Sequence, residues 1–252
     1  MNSTIRTKLF AVLKGTGILL FWLALWQGLS MLVGLDYFLP SVPKTAAKLF
    51  SLIFTARFWR ISALTLLRVL AGLFSGIFLG ALLAVLCHKL PFVNSLLSPI
   101  ISVIKATPVA TFIVLLWIMM SGTSLAILIA VLMVLPIVWQ NLMDGFHSID
   151  RQLEEVAYVF GFSLSKRIRL IIFPALKKHL APAVITSVGL AWKSEIAAEI
   201  IAYTKNSIGQ MINDAKYNLD TAEVFAWTAV IITFSILLER VAVFLLGRLE
   251  KR

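Results

Sequence analysis

Long apolar stretches, separated by short polar ones, make up most of the chain. A helix needs roughly 20 mainly apolar residues to cross a bilayer. We identify six segments of this kind, at 16–35, 61–88, 92–120, 123–143, 180–203 and 222–247. The mixed stretch 37–60 predicts a short helix on the outer surface. The pattern therefore predicts an all-α integral membrane protein with about six transmembrane helices.

The composition agrees with this interpretation. Of the 252 residues, 60% are hydrophobic and 14% are charged, and the mean hydropathy is +0.95. Soluble domains average about 45–50% apolar and about 25% charged residues. A soluble core of this size cannot bury such an excess, so we expect much of the apolar surface to face lipid.

The distribution of basic residues predicts the orientation, because cytoplasmic segments of membrane proteins carry an excess of Lys and Arg. With the N-terminus inside, the inner segments hold Arg6, Lys8, Lys14, Lys89, Arg151, Lys166, Arg167, Arg169, Lys177, Lys178, Arg248, Lys251 and Arg252. The outer segments hold fewer: Lys44, Lys48, Arg57, Arg60, Lys205 and Lys216. We therefore expect residues 1–15, the C-terminus and the polar segment 144–178 to lie in the cytoplasm. The net charge of +11 is then an orientation signal, and we expect no nucleic-acid partner.

Few side chains are available for catalysis or metal binding. Cys87 is the only cysteine, and the histidines His88, His147 and His179 are far apart in sequence. We therefore expect no disulfide, no metal site, no catalytic residues and no cofactor on this chain, which would not be an enzyme.

The second predicted span carries Gly72, Gly76 and Gly80, one helical turn apart. Small residues at this spacing let two membrane helices approach closely. The glycines indicate tight helix packing, within the chain or between subunits. The alternative is chance, since glycine is common in membrane spans.

Prolines and charges within the spans suggest where a solute could pass. Pro99, Lys105 and Pro108 interrupt the third span, either as the lining of a cavity or as an ordinary kink. Charges within a span usually face the bundle interior. The residues that would line a translocation path are Lys105, Trp192, Lys193, Glu195 and Glu199.

The two carboxylates of the fifth span, Glu195 and Glu199, share a helix face because they are four residues apart. Lys193 points elsewhere on a regular helix. The carboxylates are interpreted either as a gate or solute contact, or as structural partners of a basic side chain such as Lys105, Arg68 or the basic residues of the outer surface.

The polar segment 144–178 predicts two short helices joined at a glycine. Asp150 is a candidate N-cap, and Gly161 a candidate left-handed C-terminal glycine. Between them, Leu153, Val156, Ala157 and Phe160 form an apolar stripe at helical spacing. A second helix would begin near Ser163, and Pro174 would interrupt it before the next span. The alternative is a solvated loop without a partner, but it leaves the apolar stripe uncovered.

This segment resembles the EAA loop of ABC-importer permeases: E-A-A, three residues, G, nine residues, then I-x-L-P. The chain has Glu155, Val156, Ala157, then Gly161, then Ile171, Ile172, Phe173 and Pro174 at the same spacing. Val156 replaces the first alanine of the pattern and Phe173 replaces the leucine, and both keep apolar character. The residues that the resemblance implies for ATPase coupling are Glu155, Ala157, Phe160, Gly161, Ile171 and Pro174.

Four further stretches, at 38–44, 62–72, 105–108 and 190–199, resemble the nitrate/sulfonate/taurine-type permeases of that family. The resemblance implies that 16–252 is a multi-pass ABC permease domain of a bacterial cytoplasmic membrane. It also implies a second permease copy, two cytoplasmic ATPase subunits and an extracytoplasmic solute-binding protein.

The function implied is inward movement of a small solute, such as a sulfonate, a nitrate-like anion or another small organic molecule. The chain has no G-x-x-x-x-G-K-[ST] phosphate loop, so ATP and Mg²⁺ would bind to the partner ATPase. The alternative is a secondary transporter that needs no ATPase and uses Glu195 and Glu199 for coupling.

Overall fold

The computed structural model describes residues 3–250, with side chains described for 13–247. Within this range the chain forms helices and connecting loops and no β-strand, as predicted. The helices are α1 (Ser3–Val33), α2 (Val42–Ile53), α3 (Ala56–Lys89), α4 (Pro91–Ala106), α5 (Val109–Met119), α6 (Thr123–His147), α7 (Arg151–Val159), α8 (Leu164–Arg167), α9 (Phe173–Ile201), α10 (Ile208–Tyr217) and α11 (Thr221–Glu250). The basic side chains of Arg6, Lys8, Arg248, Lys251 and Arg252, used above for orientation, lie outside the described side chains.

Four of the described helices are long and apolar enough to cross a membrane: Leu13–Val33 within α1, then α3, α6 and Thr221–Gly247 within α11. A fifth span results if α4 and α5 are counted together. The helix predicted as the fifth span is present as α9. It is not among the helices that are apolar enough to cross a membrane, and it carries Lys177, Lys178, Lys193, Glu195 and Glu199 among its apolar residues.

The third predicted span is bent rather than straight. α4 and α5 meet at 106°. Pro99 lies inside α4 without breaking it, whereas the bend falls at Thr107 and Pro108. Thr107 is extended, at φ −84° and ψ 130°, as residues before proline prefer to be. Pro108 thus ends α4, and Lys105 lies exposed in its last turn.

The described chain divides into two compact units, and the first comprises the residues up to Trp59 together with Met211–Val230. In this unit the indole N–H of Trp26 in α1 donates to the carbonyl of Pro40 at 3.1 Å. This hydrogen bond holds the loop that contains Pro40, between α1 and α2, against α1.

An ion-pair network in the first unit connects α2 to the start of α11. The Lys48 ammonium lies 2.6 Å from Asp220 Oδ2 and 3.0 Å from Glu223 Oε2. The hydrogen bond to Asp220 is the main reason that the pKa of Lys48 is raised, against partial burial. Burial alone would raise the pKa of Asp220, but hydrogen bonds from Lys48 and from the N–H of Glu223 hold it below its usual value. Both groups are therefore charged at neutral pH.

The second unit comprises Arg60–Gln210 and the chain from Ile231 onward. α6 and α9 pack against each other, and α5 packs against both. Their shared core consists of the buried residues Ile113, Leu125, Ala126, Ile129, Ala198 and Ala202. This core places the middle and end of α9 in the interior of the unit.

The three glycines of α3 lie against α6 of the same chain. A Cβ added at Gly72, Gly76 or Gly80 would lie 2.5 Å from Ala130 Cβ, 2.7 Å from Val134 Cβ or 2.8 Å from Leu135 O, respectively. Carbon atoms in contact are normally about 3.5–4.0 Å apart. Two helices can approach this closely only because one of them carries no side chain at these positions.

Candidate functional site

The polar segment 144–178 begins with a capped helix. The Asp150 carboxylate accepts a hydrogen bond from the N–H of Gln152 at 2.8 Å, as predicted for an N-cap. α7 follows, with Glu154 in its first turn, where the helix dipole favours negative charge. The start of α7 is thus fixed by local sequence.

Gly161 ends α7 in the left-handed conformation, at φ +61°. The N–H of Phe162 donates to Ala157 O at 2.8 Å, and the N–H of Gly161 donates to Tyr158 O at 3.1 Å. This pair of hydrogen bonds is the Schellman motif. A Cβ at Gly161 would meet no described atom within 4 Å, so backbone conformation, not crowding within the chain, is what favours glycine.

Most of the predicted apolar stripe on α7 is uncovered. Ala157 is buried. Leu153, Val156 and Phe160 are 51%, 48% and 73% exposed, respectively. These three side chains form what we call the α7 surface, and it consists of the residue types that usually occupy a protein interior.

From Leu164 the chain remains helical up to Ile201. The Ser163 hydroxyl accepts from the N–H of Lys166 at 3.4 Å and starts α8. A π-helical turn, Ile168–Ile172, leads directly into α9. The prediction that Pro174 interrupts the second helix is therefore wrong. Pro174 lies in the first turn of α9, where a missing N–H is tolerated, and the wide turn before it adjusts the backbone.

The other residues of the EAA-like pattern lie on different sides of this segment. Glu155 is exposed, and its nearest ion-pair partner, Arg151, is 3.9 Å away. Ile171 is buried, whereas Pro174 is exposed. One further ion pair connects the two helices, with Arg167 Nη2 3.4 Å from Glu154 Oε1.

A second polar cluster lies buried in the second unit, around Glu199 of α9. Its carboxylate accepts from the Thr65 hydroxyl at 2.8 Å, from Arg68 Nη1 at 2.8 Å and from the N–H of Gly209 at 3.2 Å. Glu199 is 0% exposed and Arg68 is 7% exposed. The cluster therefore joins α3 and α9 to the first turn of α10, and it satisfies a carboxylate that burial would otherwise make costly.

The remaining residues of the predicted path separate into two groups. Trp192 and Glu195 are buried, and the Trp192 indole N–H donates to Ile231 O at 3.1 Å. Lys193 and Lys105 are exposed. α9 therefore buries its carboxylates and turns its lysine away from them, as helical geometry predicts. Of the two interpretations kept for Glu199, the contact with Arg68 is the one present in this structure.

Sequence reasoning missed Thr65 and Gly209 as partners of Glu199. A Cβ at Gly209 would lie 2.5 Å from the backbone carbon of Glu199, so only glycine fits. The two partners come from distant parts of the sequence, and the available signal was indirect: a buried glutamate on a span requires donors that the span itself does not supply.

Residues 76–252 match the family described as binding-protein-dependent transport system inner membrane component. The taurine transport system permease protein TauC of Escherichia coli (strain K12) is 26% identical over 209 residues, which cover 80% of this chain and 75% of that protein. The riboflavin transport system permease protein RibX of Chloroflexus aurantiacus is 27% identical over 210 residues, which cover 82% of this chain and 78% of that protein.

A solved structure supports the fold. An inward-facing MetNI methionine ABC transporter aligns with a TM-score of 0.57 at 14% identity, over 75% of this chain and 93% of that chain. The family match spans more than half of the sequence and includes the EAA-like segment. The chain therefore belongs to the binding-protein-dependent transport system inner membrane component family, and it is a multi-pass inner-membrane permease of the ABC importer type.

Proposed function

We propose that this permease moves a small solute into the cell by alternating access, driven by a separate ABC ATPase that binds the segment 144–178. Two ATPase subunits, which would hold ATP and Mg²⁺, would act on a pair of permease chains, and an extracytoplasmic binding protein would deliver the solute. The observation that carries the proposal is the α7 surface, because it leaves apolar side chains exposed on a helix fixed at both ends.

The structure of the segment suits a contact that transmits movement from the ATPase to the permease. Asp150 and Gly161 set where α7 starts and stops, so its exposed face has one defined orientation. The continuous helix from Leu164 to Ile201 connects this contact to the buried interior of the second unit. Glu155, at the edge of the α7 surface, is free to make polar contacts with the partner.

The first experiment is co-purification with a cognate ABC ATPase and measurement of ATP hydrolysis in lipid nanodiscs. Phe160→Ser removes an exposed apolar side chain and should release the ATPase without unfolding the permease. Phe54→Ser is the matched control, since Phe54 is 85% exposed and lies at the end of α2, away from the segment in sequence. Equal ATPase binding by wild type and Phe160→Ser would contradict the proposal.

Gly161→Asp tests the turn itself. A non-glycine residue in the left-handed region costs about 1–3 kcal/mol. Gly122→Asp is also strained, since Gly122 has φ +68° and ψ −144°, and no described atom lies within 4 Å of an added Cβ. We expect Gly161→Asp to uncouple ATP hydrolysis from transport and Gly122→Asp to leave the coupling unchanged. Similar coupling in both variants would favour a transporter that needs no ATPase.

For the solute, we propose a small sulfonate or another small organic molecule. The relatives named above are permeases for taurine and riboflavin. Uptake of taurine, riboflavin and nitrate by vesicles that contain the whole transporter would distinguish these classes. ATP-dependent uptake of nitrate, with none of taurine or riboflavin, would refute this solute assignment.

A further inference from the structure

Arg68 is the centre of the buried cluster and connects three separate elements. Its guanidinium donates to Glu199 at 2.8 Å, to Thr123 Oγ1 at 3.2 Å, and to the backbone carbonyls of Asn206 and Lys205 at 3.2 and 3.3 Å. One side chain of α3 thus ties α9, the start of α6 and the loop before α10 together.

Glu195 lies one helical turn before Glu199 on the same face of α9. It is 0% exposed, and neither of its carboxylate oxygens has a hydrogen-bond partner among the described residues. A buried carboxyl group without a donor is unfavourable. The basic side chain nearest in the cluster is Arg68, which lies 2.8 Å from Glu199, one helical turn further along α9.

We propose that Arg68 has two alternative partners on α9, Glu199 in this conformation and Glu195 in another conformation of the transport cycle. The proposal rests on the alternating access proposed above. Elements that move past each other by one helical turn exchange partners in this way. Two carboxylates at i and i+4 and a single guanidinium are what such an exchange requires, and the second carboxylate is the one now without a partner.

The exchange has a consequence for the loop before α10. Tyr203 and Asn206 have positive φ values of 49° and 53°, a conformation that non-glycine residues avoid unless surrounding contacts hold it. Arg68 supplies two of these contacts through the carbonyls of Lys205 and Asn206. When Arg68 moves to Glu195, it releases them, so opening of this loop is coupled to the motion of α9. Arg68, Glu195 and Glu199 are positioning residues for transport.

The test measures opening of the loop in the complete transporter, with its ATPase and binding protein, in lipid nanodiscs. Thr204→Cys places a reporter in the loop, since Thr204 is 1% exposed and its hydroxyl has no partner among the described residues. A Cys87→Ala background removes the native thiol. The rate of reaction with a charged maleimide is measured without nucleotide and after trapping with ATP and vanadate.

In the wild-type background we expect trapping to change the labelling rate by roughly fivefold or more, within the usual range of coupling between sites. Glu195→Gln keeps the size of the side chain and removes the charge, so it should abolish the change. Glu195→Asp keeps the charge and should restore it in part. Thr186→Val, at an exposed position of the same helix, is the control and should behave like wild type.

The outcomes separate the two proposals. If the ATPase does not bind, the proposed function fails and the inference fails with it. If ATP is hydrolysed but labelling does not respond to trapping, or if Glu195→Gln responds like wild type, the exchange is refuted. Loss of the response in Thr186→Val as well would show a general defect of α9 and would also refute the exchange.

Discussion

Gly72→Ala tests the close contact between α3 and α6 and has a magnitude that can be worked from the structure. The added Cβ would lie 2.5 Å from Ala130 Cβ and 2.9 Å from Ile127 O. Neither atom can move by a side-chain rotation, so the two helices must separate. Overpacking of this kind costs about 1–3 kcal/mol, and we expect a loss of stability in that range.

A swap of the glycine between the helices makes this test specific. Ala130→Gly alone should cost about 1 kcal/mol through helix propensity. Combined with Gly72→Ala it removes the contact between the two Cβ atoms, so the double variant should be more stable than the sum of the single changes predicts. Recovery will be incomplete, because Ile127 O still lies 2.9 Å from the added Cβ.

Thermal unfolding of the purified permease in detergent provides the measurement. Gly28→Ala is the control, since a Cβ there meets no described atom within 4 Å, and it should not lower stability. The reasoning is refuted if Gly72→Ala is as stable as wild type, or if the double variant loses the full sum of the single changes.

Three further predictions follow from contacts in the two units. Gly209→Ala should destabilise the permease by about 3 kcal/mol, because its Cβ would lie 2.5 Å from the backbone of Glu199; unchanged thermal unfolding would contradict this contact. Asp150→Ala should cost about 1 kcal/mol through loss of the N-cap, measured by hydrogen exchange of α7, and unaltered exchange would show that the cap is dispensable. The pKa of Asp220 is lowered and that of Lys48 is raised, so the stabilisation by this ion pair is fully present between their unfolded pKa values of about 4 and about 10.4. It is lost as pH falls through the folded pKa of Asp220, or as pH rises through the folded pKa of Lys48. Asp220→Asn should flatten the acidic limb of a stability profile against pH and reduce the basic limb in part, because Glu223 still pairs with Lys48. A profile like that of wild type would exclude the ion pair as its cause.

Local features of the polar segment could be read from the sequence because short-range interactions determine them. The N-cap at Asp150 and the left-handed turn at Gly161 depend on residues within one or two helical turns. The effect of Pro174 was mispredicted because the π-helical turn before it lets the helix continue through the proline. A π-helical turn has no reliable sequence signature.

The buried cluster could be predicted only in part. The shared face of Glu195 and Glu199 follows from helical periodicity, and the need for a basic partner follows from the cost of burying charge. Which donors satisfy Glu199 depends on tertiary packing, which brings Thr65 and Gly209 together from distant positions. The sequence also did not predict whether the third span bends at Pro99 or at Pro108. The two prolines differ only in the conformation of the preceding residue, which is helical before Pro99 and extended before Pro108.

The uninterrupted helix from Leu164 to Ile201 acts geometrically as a lever arm. At 1.5 Å per residue it is roughly 55 Å long, so a tilt of only about 5° around its N-terminal end displaces the opposite end by roughly 5 Å. A small rocking movement at one end of the helix is thereby amplified at the other end. Stiffness of this helix, rather than the size of any local rearrangement, would then limit how much mechanical work reaches the far end.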